Sequence, residues 1–268
     1  MTGCGGGSSP SESGTSLDPN VPPVLGDSWI KPIPFSTWQW QLQGNINTTY
    51  SVQLYDVDLF TTSTSSIQAL QAIGIKVICY FSAGSYEDFR EDSNKFLPSD
   101  LGNTLDGFAD ERWLDIRSSN VHTIMKNRLD TAKQKGCDGV EPDNMDGYLN
   151  NSGFSLTAND QLAFNRFIAN ESHNRELSVG LKNDLDQIAD LVDYFDFSVN
   201  EQCFEFQECN LLTPFIDNGK AVLNAEYADK FVTDETERDA MCSESINMQF
   251  STLVLPLDLG DSFRFSCL

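Results

Sequence analysis

Short runs rich in β-branched and aromatic residues alternate along the chain with longer stretches in which apolar residues recur every three or four positions. The short runs are 38–42, 52–59, 76–81, 113–116, 139–143, 178–181, 195–199, 221–225 and 251–255. Their length and composition read as strands. The longer stretches, 64–73, 118–135, 158–175, 184–192 and 234–241, read as amphipathic helices. Gly74 and Gly136 follow two of them where a C-cap glycine belongs, and Asp110 and Asn120 are candidate helix starts. Before the first strand, Pro19, Pro22, Pro23, Pro32 and Pro34 enforce an extended lead-in. Strand–helix alternation over this length implies a parallel sheet. With no Gly-rich phosphate turn to mark a dinucleotide crevice, the fold expected is α/β, a (β/α)8 TIM-like barrel. Nine runs compete for eight places, and only about ten residues join the first two, too few for a crossover helix. One end strand is therefore expected to be irregular or extra. The expected division is a signal remnant and flexible Gly/Ser/Pro-rich tether over 1–28 and a barrel domain over 29–268.

Charge and rare residues narrow the chemistry. The 268 residues carry 17 Lys+Arg against 40 Asp+Glu, a formal net charge of -23. A phosphate-backbone partner needs a basic surface, so nucleic acid is excluded as a partner. Solubility, a salty habitat or a cationic substrate would each suit the excess. The two histidines, His122 and His173, both fall in helical stretches. A Ser-His-Asp triad or a histidine-based zinc site is not easily assembled, and acid–base work falls to carboxylates. No apolar run is long enough to span a bilayer. Met1-Thr2-Gly3-Cys4 resembles the end of a bacterial lipoprotein signal, and Gly5–Ser16 has the composition of a tether. A secreted or outer-surface lipoprotein is expected, touching the membrane only through a lipid on Cys4. Six further cysteines fit disulfides in an exported chain, with 15 pairings open. Cys203 and Cys209 are close enough to staple one loop, Cys242 and Cys267 could clamp the C-terminal segment, and Cys79 reads as a buried thiol in an apolar strand. No paired CxxC spacing suggests a metal cluster. The expectation is a monomer without metal or cofactor.

In a barrel of this kind the active site lies at the C-terminal ends of the strands. Those ends carry Asp56 and Asp58; Tyr80 and Ser82; Glu141, Asp143, Asn144, Asp146 and Tyr148; Lys182 and Asn183; Glu201; and Glu226 with Tyr227. Acidic, amide and aromatic groups thus gather at one rim. Sugar cleavage needs two carboxylates flanking the glycosidic oxygen. Amides can hold sugar hydroxyls, and Trp40, Tyr80 and Tyr148 can stack on rings. Crowded carboxylates also raise one another's proton affinity, which helps one of them act as the acid. Competing readings attach to single residues. Asp138, Asp143 and Asp146 could hold calcium, although the EF-hand pattern is not met. Asp115 could pair structurally with Arg112 or Arg117. Glu226 could be a satisfied core residue, and Lys182 suits an ion-pair partner orienting a carboxylate.

Five segments then carry a resemblance: Trp38-Gln39-Trp40-Gln41-Leu42, Tyr55-Asp56-Val57-Asp58-Leu59-Phe60, Val77-Ile78-Cys79-Tyr80-Phe81-Ser82-Ala83-Gly84-Ser85, Gly139-Val140-Glu141-Pro142-Asp143-Asn144 and Asn200-Glu201-Gln202-Cys203. In this order they resemble the endo-α-1,4-polygalactosaminidases, glycoside hydrolase family 114, from about Trp29 to Cys267. The resemblance implies a TIM-barrel-like fold and endo-cleavage of α-1,4-linked galactosamine polymers. It puts the paired catalytic carboxylates on Asp143 and Glu201, with a retaining outcome favoured. Glu141 and Asp146 become neighbours that tune the site or bind sugar, and Cys203–Cys209 a loop disulfide. A deacetylated galactosamine polymer is cationic near neutral pH, so the acidic excess acquires a partner, a cationic amino-sugar polysaccharide. The alternatives are a hydrolase of another α-linked amino-sugar polymer and a non-catalytic polysaccharide-binding surface lipoprotein.

Overall fold

The computed structural model describes residues 17–268; the expectation at Cys4 lies outside them. The strands are β1 (Trp38–Gln41), β2 (Leu54–Asp58), β3 (Lys76–Ser82), β4 (Ser85–Glu87), β5 (Leu101–Leu105), β6 (Phe108–Leu114), β7 (Gly139–Asp143), β8 (Ser178–Lys182), β9 (Phe197–Glu201), β10 (Val222–Glu226), β11 (Ser251–Val254) and β12 (Phe265–Ser266). The helices are α1 (Thr64–Ala72), α2 (Ser119–Lys135), α3 (Ala158–His173), α4 (Ile188–Leu191), α5 (Thr213–Asp217), α6 (Asp229–Thr233) and α7 (Glu235–Asn247). One sheet runs β1-β2-β3-β7-β8-β9-β10-β11-β12. Its first eight members are parallel, and only β12 is antiparallel.

Alternation along each strand divides the core in two. Tyr55, Val57, Val77, Cys79, Phe81, Val140, Val179 and Leu181 pack outward with apolar residues of α1, α2 and α3. Trp38, Trp40, Leu54, Ile78, Phe197, Val199, Leu223, Ala225, Leu253 and Leu255 form a separate cluster. That second cluster joins β1 to β11, the first and last parallel strands, so the sheet curls into a barrel around it. The seam is bridged by the Trp38 indole donating to the Ser251 carbonyl at 2.8 Å and by Arg264, beside β12, donating to Gln39 and the Trp38 carbonyl.

The odd strand among the nine expected ones lies in the middle of the chain rather than at an end. Residues 113–116 overlap β6, which belongs to a three-stranded antiparallel sheet of order β4-β6-β5. With that run removed, eight parallel strands remain and β1 is a full member, joined to β2 without a helix. Asp110 lies within β6 and starts no helix. The 184–192 stretch is mostly a 3-10 turn followed by the four-residue α4, while α7 runs past its expected end to Asn247. Gly136 caps α2 in the left-handed conformation at φ 86°, which a side chain would resist.

Two buried arginines lock the inserted sheet to the barrel. Arg90 donates to both Glu87 oxygens and to Asp58. Arg128, on α2, grips Asp92 with two bonds and donates to the Ser82 carbonyl. Cys79 is not a free thiol: it pairs with Cys137 across 58 residues, tying β3 to the entry of β7. A crosslink closing a loop of that length removes about 4 kcal/mol of unfolded-state entropy in the chain-closure picture. Cys203–Cys209 and Cys242–Cys267 pair as expected.

Residues 17–28, placed with the tether by composition, pack on the barrel: the Val24 amide donates to Asn170 and the Tyr194 hydroxyl to the Val21 carbonyl. Trp29 stacks on His173 at 4.2 Å and donates to Asp196, which also bonds His173. His122 is buried and bonds the Ile116 carbonyl. Both histidines serve packing.

Candidate active site

The residues that end the strands bend sharply away from the sheet. Asn144, Asn183 and Gln202 each follow the last residue of a barrel strand, and each adopts the left-handed conformation at φ 61°, 48° and 60°. Such φ values cost a non-glycine residue roughly 1–2 kcal/mol, and asparagine tolerates them best. The turns leave Asp143, Lys182 and Glu201 as the last inward-facing side chains of β7, β8 and β9. Gly84 makes the same rim possible from β3, because a Cβ there would lie 1.8 Å from the Asn144 carbonyl oxygen.

Lys182 is the centre of the site. Its Nζ lies 3.1 Å from Glu141 Oε1, 3.1 Å from Asp143 Oδ1 and 3.3 Å from Glu201 Oε2. It also sits 4.7 Å from the Trp40 ring centroid, a cation–π contact in a desolvated setting. Its three carboxylate neighbours hold its pKa well above the ordinary lysine value despite burial. Asp143 accepts from the Asn144 amide at 2.7 Å and from the Tyr80 hydroxyl at 3.0 Å. Glu201 accepts from the Tyr227 hydroxyl at 2.6 Å. Burial together with these carboxylates pushes both tyrosines well up, so they remain donors.

Above these groups opens a cavity of about 960 Å³. Trp40, Asp58, Tyr80, Asp143, Asn144, Asp146, Lys182, Asn183 and Glu201 line it. Glu141 and Tyr227 lie just behind, reaching it through Lys182 and Glu201. Ser82, Tyr148 and Glu226 are not among the lining residues. Ser82 is fully buried and holds Ser85 and Asn144 through its hydroxyl. Glu226 faces away from the lumen and accepts from the Phe204 amide, fixing the loop of the Cys203–Cys209 disulfide. The strand period explains it, since Ala225 and Tyr227 on either side face inward. Asp58 lines the cavity but spends its charge on Arg90 and its second oxygen on the Phe60 and Thr61 amides.

The calcium reading loses its geometry, because Asp138 enters β7 at the opposite end from Asp143 and binds Gln71, Lys76 and the Val77 amide. Among the described residues no group of three or more His, Cys, Asp or Glu side chains is arranged to hold a metal ion. Asp115 pairs with Arg117.

The inserted sheet contributes a wall that strand-end reading missed. Glu87, Phe89, Arg90, Phe108, Glu111 and Trp113 all line the cavity. Glu111 accepts from the Ser85 hydroxyl, and burial raises its pKa to about 7. Exposed Phe89 and Phe108 were legible only as apolar residues in a polar stretch, and nothing local tied them to the barrel mouth. Leu257, Asp258 and Leu259 close the other side. The wall carries seven carboxylates, and its two cations, Arg90 and Lys182, are both already paired.

Burial raises Glu111 and Glu141 to about 7, Asp146 to about 6 and Asp184 to about 8. Between about pH 4, where unfolded carboxyls titrate, and about pH 8 these acids bind more protons in the native state than in the unfolded chain, outweighing buried His122, which is lowered by burial. Stability must therefore fall as pH rises through that window. A Tm lower at pH ~8 than at pH ~5.5 is expected, and a Tm that climbs with pH would contradict these assignments.

The model of a family described as glycoside-hydrolase family GH114 matches residues 21–268. The crystal structure of Aspergillus fumigatus Ega3 in complex with galactosamine superposes with a TM-score of 0.85 at 42% identity, covering 89% of this chain and 97% of that one. The glycoside hydrolase domain of PelA from Pseudomonas aeruginosa superposes with a TM-score of 0.67 at 12% identity, covering 87% and 98%. Amy13B of Eubacterium rectale shares the fold at a TM-score of 0.54 and 8% identity, covering 82% and 65%. Comparison with curated proteins gives no match.

Proposed function

The chain belongs to glycoside-hydrolase family GH114, and from that premise we propose that it cleaves α-1,4-linked galactosamine polysaccharide internally, by a retaining mechanism using Asp143 and Glu201. The observation that carries the reading is the shared lysine. One Asp143 oxygen and one Glu201 oxygen touch the same Nζ, at 3.1 and 3.3 Å. Two carboxylates within reach of one ammonium suit the roughly 5–5.5 Å separation of a retaining pair better than the roughly 6.5–9.5 Å that leaves room for an inverting enzyme's water.

The environments divide the roles. Asp143 has three donors, Asn144 N, Tyr80 and Lys182, which suit an anion that attacks the anomeric carbon. Glu201 has the Tyr227 hydroxyl and the longer lysine contact, and its side chain is the more open of the two, 28% against 20%. It is the group that gives a proton to the leaving oxygen and takes one back from water. Lys182 sits against both carboxylates and is too encumbered to act as a nucleophile.

The substrate class rests on charge. Seven carboxylates around the cleft suit a polymer bearing ammonium groups, and Ega3 is crystallised with galactosamine. Ammonium–carboxylate hydrogen bonds are worth roughly 1.5–3 kcal/mol each. Steering by the wider field weakens as the Debye length drops from about 30 Å at 0.01 M salt to about 8 Å at 0.15 M. KM for the deacetylated polymer should thus rise several-fold across that range with kcat little changed, and fully acetylated polymer should be the poorer substrate. A KM indifferent to salt would remove the electrostatic part of the reading. Product analysis on deacetylated α-1,4-galactosamine polymer tests the activity itself: internal cleavage supports it, and binding without new reducing ends points to a non-catalytic role. Three disulfides suit an oxidising, extracytoplasmic site of action.

A further inference from the structure

Beneath Lys182 lies a buried carboxyl pair that the two-carboxylate chemistry does not use. Asp56 points into the lumen from the middle of β2, 1% exposed, and neither of its oxygens makes a well-formed hydrogen bond, the Val57 amide lending it only a minor one. Glu141, fully buried, gives one oxygen to Lys182 at 3.1 Å and leaves the other, Oε2, without a donor. The two orphaned carboxyls share the inward face of the barrel beneath Lys182, close enough for each to act on the other's proton affinity. Two carboxylates in contact in a dry lumen cannot both stay ionised, so a proton lies between them. Glu141 alone of the pair holds the lysine. Asp56 stands in the strand register between Trp40 and Ile78, two apolar neighbours.

We infer that Asp56 is a neutral carboxylic acid that donates its proton to Glu141 Oε2, and that this bond positions Lys182 by keeping Glu141 anionic. Burial, then the neighbouring Glu141, pushes Asp56 well above the usual carboxylate range; Glu141, offset by Lys182, is raised only to about 7. An ammonium has three N–H groups, and Lys182 faces three carboxylates. If Glu141 took the proton itself, the lysine would lean towards Asp143 and Glu201. Both would then be held more firmly as anions. The titratable and charged groups around the cluster are Asp58 on β2, Tyr80 on β3, Asp143 on β7, Lys182 on β8, Glu201 on β9 and Tyr227 beyond β10. Asp58 is tied to Arg90, and the tyrosines donate to Asp143 and Glu201. None supplies Glu141 Oε2 with a second donor.

The kinetic arm of the test rests on the roles given above to Asp143 and Glu201; the spectroscopic arm does not. Asp56→Leu removes the donor, and kcat/KM should fall about ten- to hundred-fold, the loss expected when a buried acceptor is orphaned. The alkaline limb of its pH profile should move to lower pH. Asp56→Asn offers an amide N–H to the same oxygen and should recover most of the activity and the wild-type limb. In wild type minus Asp56→Asn infrared difference spectra at mildly alkaline pH, a protonated-carboxyl C=O band should appear. That measurement needs no substrate and no folded leucine variant. An asparagine variant as impaired as the leucine one, an unmoved limb in Asp56→Leu, or no difference band would each overturn the inference.

Discussion

Turnover of Asp143→Ala on the galactosamine polymer is expected to fall by about 10³-fold or more, and added azide to restore part of it as a glycosyl azide of inverted configuration. The residue lies at the end of β7 with three donors converging on its carboxylate at 2.7 to 3.1 Å. That geometry stabilises an anion and orients it for attack. Alanine leaves a gap on the face of the sugar from which the nucleophile came, and azide can enter there. Glu201→Ala should lose about 10²–10⁴-fold on the polymer. It should lose far less on a substrate whose leaving group needs no proton, and azide should then give the retained product. The assignment fails if either variant turns over polymer at a near wild-type rate, or if the two azide products have the opposite configurations.

Lys182→Met should be the most damaging single change to the protein as a whole. Its ammonium is 2% exposed and lies among Glu141, Asp143 and Glu201. Methionine keeps much of the volume but leaves buried carboxylates uncompensated, a loss of about 3–5 kcal/mol when one partner of a buried pair is removed. The lysine's folded pKa is raised above its unfolded value, so on the alkaline side its contribution persists to about pH 10 and is lost as pH rises through the folded pKa. On the acid side the gap between variant and wild type should shrink as the carboxylates take up protons. Denaturant titration at neutral pH and again near pH ~4 checks both statements. Equal stability of the two proteins at neutral pH would show that Lys182 does not compensate these charges. Lys182→Arg should not rescue activity, because a flat guanidinium fork cannot address three carboxylates from a single point.

Much of the barrel follows from local pattern. The 139–143 and 195–199 runs lie within one residue or two of β7 and β9, because short apolar runs with β-branched residues bury well only as strands. Asp143 and Glu201 could be placed at the cleft from sequence, since parallel strands all end on the same face. Residues 113–116 show the limit. Leu114 and Ile116 flank a polar residue as in a barrel strand, and the choice between barrel and insert depends on Ser85 pairing with Trp113 and on two arginines that tie the insert to the barrel.

The side on which each acid stands was likewise open until the strands were in register. Glu226 and Asp56 both occupy barrel strands among apolar residues, yet one supports an outer loop and the other lies under Lys182. A shift of one residue exchanges those positions, and only the packed sheet sets it. By itself the sequence determined that carboxylates far outnumber histidines and that the strand ends collect them, which is why the proposed chemistry rests on them. The tertiary structure decided that one buried lysine holds three of those carboxylates together. It did so because charges from β7, β8 and β9 become neighbours only when the sheet closes and the lumen dries.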